Sequence, residues 1–260
     1  MILECIPNYL EAEAWAELAK EKGLVFEYNE FFNPLVLEDK EKIKEILHIY
    51  KSTDRDTSMD TVHGAFFDIT VSSSDPLIRN ASDYRVCQSI EAAEELSARG
   101  VVFHTNYLTD FKSIPYRDNW VDSNILYWTE KCAKHPEVNI FLENMFDDTP
   151  ELLKRVAEGM KDVKNFGVCL DIAHAFLSKV PVYGWIDTLA GYIRHIHIND
   201  NDGCEDLHLA VGSGKIDWSL LKYEKLFELD PSVLIEVTGA EKLEASYDYL
   251  KTSGFIPAGL

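Results

Sequence analysis

The chain has 260 residues, 46% of them hydrophobic, which is enough to bury one sizeable core. Its 25 Lys and Arg residues against 45 Asp and Glu residues give a net charge of −20. This charge repels the phosphate backbone of nucleic acid, so it argues against long DNA as a partner without excluding a local basic patch. No apolar run is long enough to span a membrane, and the N-terminal MILECIPNYL does not have the pattern of a secretion signal.

The cysteines are few and scattered, and no two of them form a CxxC pair. They are Cys5, Cys87, Cys132, Cys169 and Cys204. This spacing favours neither a disulfide framework nor a zinc ribbon, and it is typical of a reducing compartment. We therefore predict a soluble, cytoplasmic protein with one domain over residues 1–260. The sequence is compatible with a homo-oligomer but does not determine the oligomeric state.

Strand and helix patterns alternate through the first half of the chain. Ile2 to Ile6 is a short apolar run, and the helical pattern EAEAWAELAKEKG follows it and ends at Gly23. LVFEYNEF predicts a second strand and DKEKIKEILHIYKS a second helix. Met59 to Phe66 predicts a strand, and ITVSSSDPLIRNAS a long Ser-rich loop. Tyr84 to Arg99 then predicts a helix capped by Gly100, and GVVFHTN a strand.

The second half continues the same alternation. Strands are predicted at VNIFLENM, NFGVCLD, YIRHIHIND and SVLIEVTG. TPELLKRVAEGMK predicts a helix with Thr149 as its N-cap and Pro150 at its first position. The other predicted helices cover Asp118 to His135, Ala175 to Gly191, Asp217 to Leu229, and Ala240 to Leu250. About eight such units require parallel strands, and at this chain length they favour a closed (β/α)8 TIM barrel over an open sheet.

Ionisable side chains stand at the carboxyl ends of the predicted strands, which converge on one mouth in such a barrel. Six are at strand ends: His63, His104, Glu143, Asp171, His197 and Glu236. Three lie in loops that begin there: His174, Asp206 and His208. Imidazole and carboxylate groups are the usual protein ligands of zinc and manganese, and burying them costs free energy unless they are paired or bound. The pattern therefore predicts a metal site at the mouth.

The remaining histidines differ from this group. His48 and His135 lie in predicted helices, and we expect them at the surface. His195 precedes His197 by two positions, so it faces the barrel interior at a lower level. We expect His195 to be a hydrogen-bonded interior residue that supports the site.

The segments GVCLDIAHAF, HIHINDNDG and DLHLAVGSGKIDW, with Glu143 and Glu236, resemble the superfamily that joins endonuclease IV to the xylose isomerase-like sugar isomerases and epimerases. The resemblance implies a divalent metal, zinc or manganese, with one to three ions. The endonuclease IV pattern implies a first ion on His63, His104 and Glu143, a second on Glu143, Asp171, His197 and Glu236, and a third on His174, Asp206 and His208. The isomerase branch implies one ion on the central quartet of Glu143, Asp171, His197 and Glu236.

The resemblance leaves two enzymatic activities open. In an isomerase or epimerase, one ion would polarise a small sugar, polyol or sugar phosphate, and Glu143 and Glu236 would act as the acid–base pair. The residues left to contact the substrate would be His63, His104, His174 and His208, with Arg79 and Lys112 from loops at the mouth.

In a zinc phosphodiesterase resembling the apurinic endonucleases, all nine side chains would be ligands. The mouth loops offer only Arg79, Lys112, Arg117 and Lys179 for a DNA duplex, which is a small basic surface. Aromatic residues suited to a sugar pocket are more numerous: Phe31, Phe32, Tyr107, Phe111, Tyr116 and Trp120. The sequence therefore favours the isomerase or epimerase. A non-catalytic metal-binding protein is a third interpretation, although nine ligands exceed the three or four of a closed structural site.

Overall fold

The computed structural model describes residues 1–256, in which eight parallel strands form a closed barrel. The strands are β1 (Leu3–Cys5), β2 (Val25–Tyr28), β3 (Thr61–His63), β4 (Gly100–His104), β5 (Asn139–Glu143), β6 (Phe166–Asp171), β7 (Ile193–Ile198) and β8 (Ser232–Ile235). Each strand pairs with the next, and β8 closes on β1 through the pairs Leu3 with Val233 and Cys5 with Ile235. The predicted (β/α)8 barrel is confirmed.

Helices surround the barrel and connect its strands. They are α1 (Ala12–Lys22), α2 (Pro34–Glu38), α3 (Lys40–Ser52), α4 (Pro76–Leu96), α5 (Ile114–Lys134), α6 (Glu151–Gly159), α7 (Ile172–Leu177), α8 (Val182–Leu189) and α9 (Ala240–Thr252). Short 3-10 helices cover Tyr9–Glu11, Glu30–Phe32, Ala190–Tyr192, Trp218–Lys222 and Glu224–Phe227. Within the described residues, every helix falls short of the length and apolarity that a membrane crossing requires.

The first two long helices follow the sequence pattern closely. Helix α1 ends at Gly23, whose left-handed backbone (φ 64°) is the conformation a glycine C-cap adopts. Helix α3 begins after Asp39, whose side chain accepts hydrogen bonds from two backbone N–H groups of the first turn. Its buried face carries Ile46 and Tyr50, as the helical spacing predicted.

Helix α4 differs from the prediction at both ends. It begins at Pro76, inside the segment predicted as a loop, because Asp75 caps the first turn by accepting a hydrogen bond from Leu77 N. It ends before Ser97, which adopts the left-handed conformation (φ 56°) expected of a glycine cap. Gly100 instead opens β4, where a Cβ atom would clash with Phe141 and the neighbouring strand.

Three other helix predictions also need correction. Ala175 to Gly191 is not one helix, since α7 ends at Leu177 and α8 begins at Val182. Thr149 and Pro150 both precede α6, which begins at Glu151, and no side chain caps it. Asp217 to Leu229 is two 3-10 helices joined at the extended Tyr223 rather than one α-helix. Tertiary hydrogen bonds hold this segment, because Trp218 donates to a buried carboxylate at 2.8 Å and Tyr223 donates to Asp187 at 2.7 Å. Such contacts override local helical periodicity.

The barrel interior is largely polar, whereas the layer between strands and helices is apolar. Val102, Phe141 and Cys169 form a small apolar cluster inside the barrel, separate from the large outer core. Glu4 and Glu27 are completely buried in the same interior. The hydrophobic core therefore lies mainly outside the strands, and the barrel axis is left to ionisable groups.

Candidate metal centre

The polar residues predicted at strand ends do lie at the carboxyl end of the barrel. Four are the last residues of β3 to β6: His63, His104, Glu143 and Asp171. His197 is the penultimate residue of β7, and Glu236 directly follows β8. Parallel pairing sets His104 beside Glu143 and Asp171 beside His197. Chain direction and strand register therefore place these side chains on one rim.

Glu143 is at the centre of an inner cluster. Its Oε2 atom lies 3.3 Å from His104 Nε2 and 3.8 Å from His63 Nε2. Its Oε1 atom lies 3.3 Å from His197 Nδ1, which is in turn 3.6 Å from Glu236 Oε1. The ligand atoms of His63, His104 and Glu143 lie within 4.8 Å of one another, and so do those of Glu143, Asp171 and His197. The two oxygens of Glu143 thus face two different groups of ligands.

An outer cluster forms around Asp206. Its Oδ2 atom lies 3.3 Å from His174 Nε2 and 3.1 Å from His208 Nε2. The Nδ1 atoms of these histidines lie 2.9 and 3.0 Å from the backbone carbonyls of Asn144 and Glu236, to which each Nδ1–H donates. Both Nε2 atoms therefore face Asp206, and they become available as ligands once they lose their protons. His208 also adopts a left-handed backbone (φ 44°), a strain that tends to persist at functional sites.

The inner cluster contains buried polar atoms without hydrogen-bond partners among residues 1–256. These atoms include both oxygens of Glu143, Asp171 Oδ2 and His197 Nδ1. All three side chains are completely buried, and an unpaired buried polar atom costs about 1–3 kcal/mol. Imidazole nitrogens and carboxylate oxygens suit zinc or manganese. The residues present therefore fit a divalent ion.

The pKa values in the inner cluster diverge because its members share one buried volume. Burial opposes the charge on Glu143, yet the imidazoles of His197 and His104 lower its pKa well below the usual value. Burial raises the pKa of Glu236 to about 8. Burial, with His104 beside it, lowers the pKa of His63 to about 4. Such divergence is typical of functional sites.

Asparagine side chains next to the strand ends orient the candidate ligands. Asn144 accepts a hydrogen bond from Asp171 N at 2.9 Å and donates to Asp171 O at 3.0 Å. Asn199 donates to Glu236 Oε2 at 3.0 Å. Neither asparagine was predicted to belong to the site. Their position was the available signal in the sequence, since Asn144 directly follows Glu143 and Asn199 lies shortly after His197.

Asp200 organises the loop that carries the outer cluster, and the sequence analysis also missed it. Its completely buried carboxylate accepts hydrogen bonds from the N–H groups of Asn201, Gly212 and Ile216 and from Trp218 Nε1. Gly214 leaves no room for a side chain beside this carboxylate. The loop that bears Asp206 and His208 is therefore built around one buried charge.

Above the two clusters lies a cavity of about 500 Å³. Its wall is largely apolar and includes Phe32, Phe66, Phe67, Met145, Phe146 and Leu207. His104 stacks on Phe66, with ring centroids 4.5 Å apart and planes at 20°. Lys242 is the only Lys or Arg lining the cavity among the described residues, and its ammonium donates to His208 O at 2.9 Å. A larger groove of about 680 Å³ between α3 and α4 contains none of the predicted site residues.

The two basic residues predicted to contact substrate do not line this cavity. Arg79 is exposed and donates to the carbonyls of Ser73 and Ser74. Lys112 is exposed and lies 3.6 Å from Asp148.

The aromatic residues named in the sequence analysis are also divided by the fold. Phe32 lines the cavity, whereas Phe31 and Trp120 are buried in the outer core. Tyr107 and Phe111 pack against Tyr116 instead. Four residues of the cavity lining were not predicted: Phe66, Phe67, Phe146 and Lys242. The available signal was their position in the loops after β3 and β5 and in the first turn of α9 after β8.

Of the other histidines, His48 and His195 lie where they were expected. His48 is exposed on α3, whereas His135 is half-buried directly after α5, beside Glu94. His195 is completely buried inside the barrel, where it contacts Ser232 and Glu27.

Fold and site together define a TIM barrel with a candidate divalent-metal centre at its mouth. A family described as the xylose isomerase-like TIM barrel matches residues 16–251. The chain belongs to this family, whose members are sugar isomerases and epimerases or endonuclease IV-like enzymes. The resemblance seen in the sequence is confirmed.

Relatives and solved structures represent both branches. An uncharacterized protein of Methanocaldococcus jannaschii is 30% identical over 205 residues, which cover 75% of this chain and 69% of that protein. A probable endonuclease 4 of Mycobacterium leprae is 28% identical over 178 residues, which cover 62% of this chain and 66% of that protein. A structure of a D-tagatose 3-epimerase-like protein is 26% identical, with a TM-score of 0.72 over 97% of this chain and 96% of that chain. A structure of a Thermus thermophilus protein soaked with ZnCl2 is 25% identical, with a TM-score of 0.73 over 97% of each chain.

Proposed function

We propose that the protein is a divalent-metal-dependent isomerase or epimerase of a small sugar or polyol. The observation that carries the proposal is the convergence of Glu143 and Glu236 on one imidazole nitrogen, His197 Nδ1, at 3.3 and 3.6 Å, below the cavity. In the proposed reaction these two buried carboxylates act on opposite faces of a bound carbon. The ligands for the ion would be Glu143, Asp171, His197 and Glu236.

A bound ion would polarise the carbonyl and the adjacent hydroxyl of the substrate, which acidifies the C–H bond between them. Glu143 would take the proton from this carbon on one face. Glu236 would return a proton on the opposite face, which inverts the carbon and gives an epimer. Return of the proton to the neighbouring carbon, with transfer of the hydroxyl proton to the former carbonyl oxygen, would instead give an isomer. Asn199 orients the carboxylate of Glu236 through a hydrogen bond, and the pairing of β4 with β5 fixes the backbone position of Glu143.

The cavity favours a neutral substrate over a sugar phosphate. The single lining ammonium, that of Lys242, is occupied by a backbone carbonyl, and Arg79 and Lys112 lie outside the lining. Asp206 and Glu236 add carboxylates to the same wall, and the whole chain carries −20. The faces of Phe32 and Phe66 suit the C–H faces of a sugar ring or an extended polyol. His63, His104, His174 and His208 would contact its hydroxyl groups.

The alternative is a zinc phosphodiesterase, and one specific observation favours it. Two imidazole nitrogens face one carboxylate oxygen of Asp206, which makes a third ligand group that a single-ion isomerase does not need. The relative named probable endonuclease 4 belongs to this branch. The cavity argues against this function, because among the described residues only one lysine lines it and could bind a phosphate backbone.

Solvent-hydrogen exchange separates the two functions. The protein loaded with Mn²⁺, Co²⁺ or Zn²⁺ would be incubated in D2O with a panel of ketopentoses and ketohexoses, and carbon-bound deuterium measured by NMR. We expect incorporation next to the carbonyl of at least one sugar, and no cleavage of a duplex with one abasic site. Cleavage of that duplex, with no exchange in any sugar, would replace the proposed function with the alternative.

Metal content gives a second, independent measurement. One exchangeable ion per chain after dialysis supports the isomerase, and two or three retained zinc ions support the phosphodiesterase. Cytoplasmic location, a single domain over 1–260 and homo-oligomerisation stay predictions from the sequence.

A further inference from the structure

A connected series of buried polar side chains runs through the barrel below the metal centre. It begins at Arg99, just before β4, and passes through Ser232 and His195 to Glu27 and His197. We call these five residues the interior chain. His195, Glu27 and His197 are all completely buried.

Each link in the interior chain is short. Arg99 donates to Ser232 Oγ, which lies 2.5 Å from His195 Nδ1. His195 Nε2 lies 3.1 Å from Glu27 Oε2. The other oxygen of the same carboxylate, Glu27 Oε1, lies 3.3 Å from His197 Nε2. The opposite ring nitrogen, His197 Nδ1, faces Glu143 and Glu236.

The chemistry of the groups sets the direction of every hydrogen bond. A guanidinium only donates, so Ser232 Oγ accepts from Arg99. The Ser232 hydroxyl then donates to His195 Nδ1, its remaining neighbour in the described hydrogen-bond network. His195 consequently carries its hydrogen on Nε2 and donates it to Glu27. The last contact is an ion pair rather than a hydrogen bond, because Glu27 Oε1 and His197 Nε2 lie 3.3 Å apart and neither atom has a hydrogen-bond partner among the described residues. A carboxylate only accepts, so this contact favours hydrogen on His197 Nε2.

We infer that Glu27 is a positioning residue for the metal centre, because it holds His197 as the Nε2–H tautomer with the Nδ1 lone pair directed at the ion. A histidine ligand is usually oriented by an acceptor on its other nitrogen, and loss of that acceptor weakens metal binding. Glu27 is placed for this role because it contacts His197 Nε2, whereas Glu143 and Glu236 contact the opposite nitrogen, Nδ1. The inference rests on the metal centre of the proposed function.

A competing arrangement uses the same residues differently. The ligand atoms of Glu27, His63 and His197 also lie within 4.8 Å of one another, so an ion on His197 Nε2 would make Glu27 a ligand. The geometry opposes this, because His63 Nε2 lies 3.2 Å from His104 Nε2 and thus faces the Glu143 side of the cluster. The two arrangements bind different nitrogens of His197, which makes them distinguishable.

Glu27→Gln tests the inference without changing the size of the side chain. A glutamine offers one oxygen and one NH2 group to two imidazole N–H donors, so it cannot accept from both. We expect the affinity for Zn²⁺ or Mn²⁺, measured by competition with a chromophoric chelator, to fall about 10–100-fold. The matched control is Asp60→Asn, which replaces another completely buried carboxylate, held by Arg55 and Tyr28 and outside the interior chain. We expect the control to keep its metal affinity within about 2-fold.

A measurement on the wild type keeps the test decisive if a variant does not fold. Proton–nitrogen NMR of the zinc-loaded protein, labelled with 15N-histidine, reports which nitrogen of His197 holds hydrogen. We expect hydrogen on Nε2 and zinc on Nδ1. Zinc on Nε2, unchanged metal affinity in Glu27→Gln, or a wild type that binds no divalent ion would each overturn the inference. A wild type that binds ions in this way but exchanges no sugar hydrogen removes only the proposed function.

Discussion

The two levels of the barrel interior bury carboxylates in opposite ways. At the lower level, Glu4 is completely buried and both of its oxygens are partnered: Oε1 accepts from Arg99 at 2.6 Å and Oε2 from Thr61 at 2.5 Å. At the carboxyl end, Glu143 is equally buried, yet neither oxygen has a hydrogen-bond partner among the described residues. Its nearest neighbours are imidazole nitrogens 3.3 Å away.

This difference distinguishes a carboxylate that supports the fold from one that is placed for function. A buried charge with all its hydrogen bonds made contributes to a defined fold, and removing its partner is costly. A buried charge left unpartnered among convergent ligand atoms lowers stability unless something binds there. We therefore expect the lower level to stabilise the barrel and orient the ligands, and the upper level to bind the proposed ion and substrate.

Glu143→Gln is expected to have the largest effect, and it acts on function alone. The substitution removes a shared ligand and the proposed base, so turnover should fall at least about 1000-fold. The thermal unfolding temperature without added metal should change little, because the unmade hydrogen bonds of this buried carboxylate cost free energy while its attraction to His197 and His104 offsets that cost. Exchange kinetics and calorimetry on one preparation measure both. A variant that keeps wild-type turnover contradicts the site assignment.

Arg99→Met is expected to change stability rather than function, because it acts at the lower level of the barrel interior. It leaves Glu4 buried and uncompensated, and we expect the free energy of unfolding to fall by about 3–5 kcal/mol in urea titrations. The double variant Arg99→Met with Glu4→Gln should recover part of that loss, since the orphaned charge is also removed. A single variant as stable as the wild type would show that the lower level does not depend on this pair.

Acid should weaken metal binding at the upper level. Burial opposes charge on His208, but Glu236 and Asp206 raise its pKa from 6.5 to about 10. Its Nε2 is therefore protonated at pH 7 and must lose that proton to bind an ion. If the outer cluster binds metal, its affinity should rise by about tenfold per pH unit up to that pKa. Calorimetry in buffers of different ionisation enthalpy would detect the released proton, and no proton release would contradict the prediction.

His208→Ala is expected to have the smallest effect if the protein is an isomerase. The variant should keep the central ion and turn over normally, with KM raised about tenfold by the loss of one contact to a hydroxyl. Loss of one zinc per chain, measured by elemental analysis, would instead support the phosphodiesterase. Glu205→Ala, an exposed residue of the same loop, is the matched control.

Chain order predicted the barrel and the gathering of the candidate ligands. Parallel strands share one direction, so a residue such as Asp171 or Glu143 that ends a buried run must lie on the same rim as the others. Helix boundaries were less predictable where a capping residue stood within a Ser-rich segment, as Asp75 does. The 3-10 turns after Asp217 escaped prediction because hydrogen bonds from distant residues form them.

The accuracy of the predictions from sequence depended on how far apart in the chain the interacting residues lie. Apolar periodicity and strand polarity are local, and they were enough to predict a rim of imidazoles and carboxylates. The tertiary structure decided the rest. Arg79 donates to the carbonyls of Ser73 and Ser74 rather than into the cavity, and Glu27 contacts His197, which is distant in sequence, at Nε2. Side-chain direction depends on neighbours that closure of the barrel brings together, so it cannot be predicted from any single segment of the sequence.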